Sequence, residues 1–328
     1  MKLKIKTPTH IGSGSRYEPI DYIYDEDDGD RGKVYIIDYE KVFKEEIFDK
    51  EKPDFEKIKE KIKEIGVERF TKYKIDSFCS KPGRILEHIK SAGKPYIPGS
   101  SLKGTIRTAI FWKYIMEEKK IDKIEKIASE QGWKKAKKEF DSIEKEFFGE
   151  NNDFIRFIFV SDSSLANPED LAVYEIKVLS EQKNKLEKIE KIRIFVEALK
   201  PGTELHFDLK IKNYENKYLK SWKRILLEFS KYVVEKVEIP YLKKLNEKNL
   251  LTSLESILSD MNKGKILFRI GFSTGWLWKT IGSLLDDKKR VKLAKELKLA
   301  RRFGSSFPKT RRVIGEHEFP GWVEIVET

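Results

Sequence analysis

Tyr96-Ile97-Pro98-Gly99-Ser100-Ser101-Leu102-Lys103-Gly104-Thr105-Ile106-Arg107-Thr108-Ala109 reads as a turn that feeds a helix. Pro98-Gly99 punctuates the chain, and Ser100 and Ser101 are both good N-cap residues. Leu102, Ile106, Ala109 and Ile110 then recur at helical spacing, which turns one face toward a core. Lys103 and Arg107 sit four apart, where like charges repel, and at the positive end of the helix dipole. An anion relieves both conflicts. Free backbone N–H groups, two hydroxyls, Lys103 and Arg107 are therefore expected to converge on a phosphate. Gly104 costs about 1 kcal/mol relative to alanine inside a first turn, and close approach of a ligand or another chain is one reason to keep it. The alternative is that Lys103 and Arg107 are solvated, because the chain carries 67 lysines and arginines in 328 residues.

Working outward, 328 residues allow two domains, or one with large insertions. Charged residues make up 37%, rich in lysine and glutamate, a pattern that predicts a thermophilic source. The net charge of +12 favours a polyanionic partner, although a lysine-rich proteome raises this number everywhere. The single cysteine, Cys79, excludes an internal disulfide and a cysteine metal cluster, and fits a reducing cytoplasm. His10, His88, His206 and His317 have no metal-ligand spacing, so neither metal nor cofactor is expected. With no apolar leader and no run of roughly 18 apolar residues, the expectation is a soluble cytoplasmic protein without membrane contact.

Residues 1–6 alternate as a half-exposed strand and run into the loop Thr7-Pro8-Thr9-His10-Ile11-Gly12-Ser13-Gly14. Residues 20–38 read as a hairpin around the acidic turn at 25–30, either a solvated turn or a metal loop. Residues 39–78 read as amphipathic helix and 79–94 as loop. The helix from Ser101 runs to about Lys119, and further helix follows to Phe148, ended by Gly149. Trp133 with Lys134, Lys135, Lys137 and Lys138 is a basic patch or a solvated face. Residues 154–164 give a buried strand closed by Ser161-Asp162-Ser163-Ser164, with Asp162 a turn residue. Strands follow at 171–179 and 192–199. Pro201-Gly202 then turns into a returning strand at 204–211. Residues 213–262 are helical, and 267–270 form a strand that enters the loop Gly271-Phe272-Ser273-Thr274-Gly275, suited to backbone contacts with phosphate. Residues 307–313 and 319–325 read as two short strands joined by a turn, with Lys309, Arg311 and Arg312 as a cationic cluster.

The segment Pro98-Gly99-Ser100-Ser101-Leu102-Lys103-Gly104-x-Ile106-Arg107 resembles the signature of the RAMP superfamily, the RNA-binding subunits of CRISPR effector complexes. The loop at 7–14, the Ser-Asp strand exit at 161–164, the turn at 195–203 and the glycine-rich loop at 271–275 resemble further segments of that family. Pro308-Lys309-Thr310-Arg311 followed by Gly321-Trp322-Val323 resembles the type III-A (Csm) subunit at the CRISPR RNA 3′ end rather than the repeated backbone subunit. The resemblance implies an α+β fold of ferredoxin-like (RRM-type) βαββαβ modules with helical insertions near 39–78 and 120–148. We place a soft division at 199/200, giving units 1–199 and 200–328. The implied partners are crRNA, other RAMP subunits including the repeated backbone subunit, and host nucleases that trim crRNA. The implied function is capping of the crRNA 3′ end and support of crRNA maturation. Expected RNA contacts are Ser100, Ser101, Lys103 and Arg107, with the 271–275 loop through its backbone and Lys309, Arg311 and Arg312 in second rank. His10, Gly12 and Gly14 belong to a loop that lies near RNA in the family. No catalytic residue is assigned. The rival reading is a ribonuclease that uses His10 or the acidic 25–30 loop, but His10 has no evident acid–base partner in sequence.

Overall fold

A computed structural model describes residues 1–27, 31–45, 54–123, 126, 133–149, 155–183, 185–212, 215–300, 304–315 and 317–327. In chain order its strands and helices are β1 (Lys2–Ile5), β2 (Gly12–Tyr17), β3 (Tyr22–Glu26), β4 (Gly32–Ile37), α1 (Tyr39–Lys44), α2 (Phe55–Ile65), β5 (Thr71–Ser77), β6 (Ile85–His88), β7 (Lys90–Ser91), β8 (Lys94–Pro95) and α3 (Gly99–Glu117). There follow α4 (Trp133–Phe148), β9 (Ile158–Val160), β10 (Leu171–Gln182), β11 (Lys185–Leu199), β12 (Glu204–His206), β13 (Leu209–Ile211), α5 (Lys217–Lys220), α6 (Trp222–Val233), α7 (Ile239–Lys244) and α8 (Lys248–Asn262). The chain closes with β14 (Ile266–Arg269), α9 (Gly275–Lys279), α10 (Asp287–Glu296), β15 (Thr310–Ile314) and β16 (Trp322–Val326).

The fold is α+β, as expected. One sheet runs β12-β1-β16-β14, all antiparallel. The larger runs β2-β6-β11-β10-β5-β4-β3, with β15 added along the far half of β10. Strands from both sides of position 199/200 share both sheets, so no hydrogen-bonded layer stops there. The alternation of β1 buries Leu3 and Ile5 completely. The apolar stripe of α3 does the same for Leu102, Ile106, Ala109 and Ile110, and Trp112 packs on the rings of Phe229 and Tyr232 in α6. The α1–α2 insertion covers β3 and β4 with a small core of its own, including Val42, Ile58, Ile62 and Phe70.

Several expectations need correction. Residues 71–77 are a strand, because Gly66 at φ 125° ends α2 and the chain then pairs with β4. The stretch 79–94 holds three short strands, too brief for periodicity to reveal. Residues 204–211 do not return along β11. The chain divides at Phe207, so that β12 pairs with β1 and β13 with β9. The C-terminal strands are not partners either: β15 extends β10 while β16 inserts between β1 and β14. Gly149 does end α4, at φ 79°. Part of the acidic turn (28–30), the side chains of Trp133, Lys134, Lys135 and Lys137, and Phe154 lie outside the described residues.

Candidate RNA-binding cleft

Helix α3 starts one turn position earlier than its serines suggest. Pro98 occupies the N-cap, and the first amide of the helix, Gly99 N–H, donates to Asp162 Oδ1 at 2.8 Å. Asp162 is therefore a structural residue, as its Ser-Asp-Ser-Ser setting suggested, and its carboxylate suits the positive helix end. Ser163 holds the preceding turn, accepting from Ile97 N–H at 2.9 Å and donating its own N–H to Ile97 O at 3.0 Å. A Cβ on Gly99 would overlap the carbonyl oxygens of Val160 and Ser161, so only glycine permits this docking. Ser100 and Ser101 are consequently free of capping duty and face outward from the first turn.

Three segments far apart in sequence meet beside this turn. The His10 carbonyl accepts from Phe272 N–H at 3.0 Å, which locks the first loop onto the glycine-rich loop. Gly271 sits at φ 89° with no room for a Cβ against that carbonyl. The Gly-Trp segment ties the same knot from behind: Gly321 N–H donates to Pro8 O at 3.0 Å, and Trp322 N–H to Thr7 Oγ1 at 2.9 Å. Between the loops and α3 lies a cleft of about 670 Å³. One wall is the small-residue face of α3, namely Ser100, Ser101, Gly104, Thr105 and Thr108. The opposite wall carries His10, Gly12 and Gly14 with Gly271, Phe272 and Thr274. A Cβ added to Gly104, Gly14 or Gly275 would touch nothing within 4 Å, so these glycines border open space.

Among the described residues, two cations line the cleft and no acidic side chain does. Arg269, only 4% exposed, donates to Pro320 O at 2.8 Å and to Ser273 O at 3.1 Å, and forms no carboxylate ion pair among the described residues. Burial draws its pKa down to about 10, eased by the Glu238 charge, so it stays charged at neutral pH. Lys279 is held below its ordinary value by desolvation and by Arg312. Neither was singled out in the sequence, nor were Thr105 and Thr108. The period of Ser101, Thr105 and Thr108 on one helical face was the signal available for the threonines.

The expected convergence of Lys103 and Arg107 with both serines on one site does not occur: neither cation lines the cleft that holds Ser100 and Ser101. Arg107 pairs with Glu144 of α4 and lies 4.2 Å from the centre of the Phe148 ring. Lys103 borders a second groove on the adjoining flank of α3, with Ser100, Phe159 and Lys210. Helical geometry explains both, because residues 103 and 107 share a face that 101, 105 and 108 do not. The C-terminal cluster divides likewise. Arg311 is buried, ion-paired to Glu238 at 2.7 Å and stacked on Tyr241 at 4.1 Å. Arg312 donates to Phe272 O at 3.0 Å and covers that ring at 4.3 Å, bracing the glycine-rich loop from outside. The backbone carbonyl of Lys309 accepts from Glu181 N–H at 2.9 Å, and this residue does not line the cleft. Ser273 is buried against Arg269, and Gly275 opens α9 behind the cleft wall.

Among the described residues, no group of three or more His, Cys, Asp or Glu side chains is placed to hold a metal ion. No described helix is long and apolar enough to cross a membrane.

The glycine-rich loop, the first-strand loop and the helix start thus meet around one cleft. The chain belongs to the RAMP superfamily, whose model matches residues 2–277. Within it, the chain is similar to the CRISPR system Cms protein Csm5 of Methanocaldococcus jannaschii, at 28% identity across 87% of this chain and 73% of that protein. Its fold matches a chain of the cryo-EM structure of a Csm–crRNA–target RNA ternary complex of a type III-A CRISPR-Cas system. The TM-score is 0.73 at 22% identity, covering 99% of each chain. The crystal structure of T. onnurineus Csm5 matches with a TM-score of 0.68 at 22% identity, covering 99% of this chain and 100% of that one.

Proposed function

We propose that this chain is the crRNA-binding subunit at the 3′ end of a type III-A effector complex, and that it holds single-stranded crRNA in the cleft between α3 and the two loops. The observation that carries this reading is the composition of the cleft: open glycines, a row of hydroxyls, Arg269, Lys279 and no acid. Backbone and hydroxyl donors with two cations suit a phosphodiester strand, and glycines let its sugar–phosphate chain approach closely. The likeness to Csm5 and to a chain of a Csm–crRNA complex supports the assignment. The proposed partners follow from it: crRNA, the other Csm subunits including the repeated backbone subunit, and nucleases that trim the protruding RNA. The subunit serves maturation by capping the end, and it binds rather than cuts. His10 is a poor base with its pKa drawn down to about 4 by burial, and neighbouring His88 spends both ring nitrogens inside the fold.

The test is a gel shift and a denaturing gel run in parallel on end-labelled single-stranded RNA, with magnesium and with chelator. The expected result is a shift with intact RNA that weakens with salt, the log–log slope being about 0.7 per phosphate contacted. RNA cleavage that tracks the protein and disappears in His10→Ala or with chelator refutes the non-catalytic part. A shift insensitive to salt refutes the phosphate contacts.

A further inference from the structure

His10 is the one side chain of the cleft whose protonation state the fold dictates. Its Nδ1 lies 2.7 Å from the carbonyl oxygen of Glu197. A carbonyl only accepts, so Nδ1 carries the proton and donates it. In a neutral imidazole this leaves Nε2 with a bare lone pair, and no protein group among the described residues hydrogen-bonds to it. The ring is 5% exposed and lines the cleft. It is gripped edge-on by His88 at 5.9 Å and Phe272 at 5.8 Å between ring centres. A Cβ at Gly12 would lie 3.3 Å from Nε2, so any side chain there would crowd the lone pair that glycine leaves open. Burial and the Lys90 charge keep the ring neutral, with its pKa at about 4.

An acceptor held in this way selects its partner by chemistry. An ionised phosphodiester has no proton to donate, and its oxygens are repelled by an imidazole lone pair. The donor that every ribonucleotide carries regardless of base is the ribose hydroxyl. We propose that His10 Nε2 accepts a hydrogen bond from a ribose 2′-hydroxyl of the strand in the cleft, and that this contact makes His10 the residue that distinguishes RNA from DNA. The inference rests on the cleft being the RNA site and assigns His10 a role within it. Arg269, Lys279 and the hydroxyls of α3 then face phosphate, while His10 faces sugar.

The experiment measures affinities of this chain for one sequence in several forms: RNA, DNA, fully 2′-fluoro RNA, and RNA ending in a 3′-phosphate. A 2′-fluoro group keeps the sugar pucker and cannot donate. The parent is expected to lose about tenfold in affinity for 2′-fluoro RNA and DNA, the worth of one well-placed hydrogen bond. His10→Phe and His10→Gln guard against one variant misfolding. In His10→Phe the RNA-to-DNA preference is expected to collapse, read as the ratio of the two affinities. Loss of binding on adding the 3′-phosphate, with RNA and 2′-fluoro RNA bound equally, places the terminal 3′-hydroxyl at Nε2, a group DNA also carries, and overturns the proposal. Equal binding of RNA and 2′-fluoro RNA by the parent overturns the proposal without reference to any variant. So does a preference that survives in His10→Phe, the result expected if Nε2 meets a base N–H. Gly104→Leu, which fills the cleft, separates the two levels. If it leaves RNA affinity intact, the cleft assignment falls and His10 falls with it. If it weakens RNA while the 2′-fluoro ratio of the parent stays at unity, only the His10 role falls.

Discussion

Gly104 offers a substitution whose effects on stability and on binding should have opposite signs. It lies six residues into α3, exposed, with helical neighbours on both sides. A methyl group there would meet nothing within 4 Å. Replacing it with alanine removes the backbone entropy that glycine loses on folding and adds no clash, a gain of about 1 kcal/mol. Spread over a chain of this length, where unfolding entropy scales with residue number, that gain raises the Tm by only about 1.5 °C. Chemical denaturation is the sharper assay: the midpoint moves up while the slope m stays fixed. Gly104→Leu keeps most of the helix gain and projects four carbons into the cleft. A strand packed against α3 must then lift away from the hydroxyl row, so RNA affinity should fall by about tenfold or more, equivalent to the loss of at least one good contact. The two readouts check different links. A destabilised Gly104→Ala refutes the claim that no intramolecular packing needs this glycine. Full RNA affinity in Gly104→Leu refutes the claim that RNA is what needs it.

Arg107→Ala should cost about 1 kcal/mol of stability, from a partly exposed ion pair with Glu144 and the stacking on Phe148, and leave RNA affinity and its salt slope unchanged; a shallower slope in the gel-shift titration would return Arg107 to the binding site. Arg311→Met should be severe, about 3–5 kcal/mol by urea denaturation, because it strands the buried Glu238 carboxylate; a loss below about 1 kcal/mol would show that Glu238 finds another partner. The buried histidines set the pH response. His10 and His88 are drawn from 6.5 down to about 4 and about 3, mainly by burial, so the unfolded chain binds the extra protons. Their contribution is complete above pH 6.5 and drains away as pH falls toward 4, at up to about 2.7 kcal/mol per pH unit for the two together; denaturation midpoints that stay level between pH 7.5 and 5 would contradict this.

How much of this was legible in the sequence depends on the range of the interaction. The turn before α3, the apolar stripe of Leu102, Ile106 and Ala109, and the stop at Gly149 are local, and periodicity and turn chemistry report them directly. The two loops and the helix start that form the cleft could each be marked as segments with unusual backbone needs, and Gly271 and Gly99 do have them. What no local pattern carries is which way a side chain leaves its element once the element docks. Lys103 and Arg107 met every local criterion for an anion site, yet α4 supplies Glu144 and Phe148 to claim Arg107. Lys309-Thr310-Arg311-Arg312 looked like one cationic cluster because the residues are adjacent. As a strand it sends alternate side chains to opposite faces, and Glu238, 73 residues away, claims the arginine that turns inward. Arg269 was hidden for the converse reason. It stands at the end of an apolar run, and only the packed structure shows its guanidinium held by carbonyls at the cleft.

Glu197 explains how a carboxylate can stand directly behind a cleft proposed to hold a polyanion. It is completely buried in β11, and its side chain accepts from Tyr73 of β5 at 2.7 Å, from His88 N–H of β6 at 3.0 Å, and from the ammonium of Lys90. Burial raises its pKa, and these three donors act in the other direction. A buried charge is tolerable when its partners are complete, and here they come from three different strands. The negative charge is therefore spent inside the wall, with Lys90 only 7% exposed at the side-chain level, and little of it reaches the cleft. The carbonyl oxygen of the same residue accepts the hydrogen bond from His10 Nδ1–H. Side chain and carbonyl thus do complementary work: the first fixes the strands on which the loop rests, and the second fixes which nitrogen of His10 is presented to the ligand. A change that loosens the Glu197 network should then alter the tautomer of His10 before it alters the charge of the cleft.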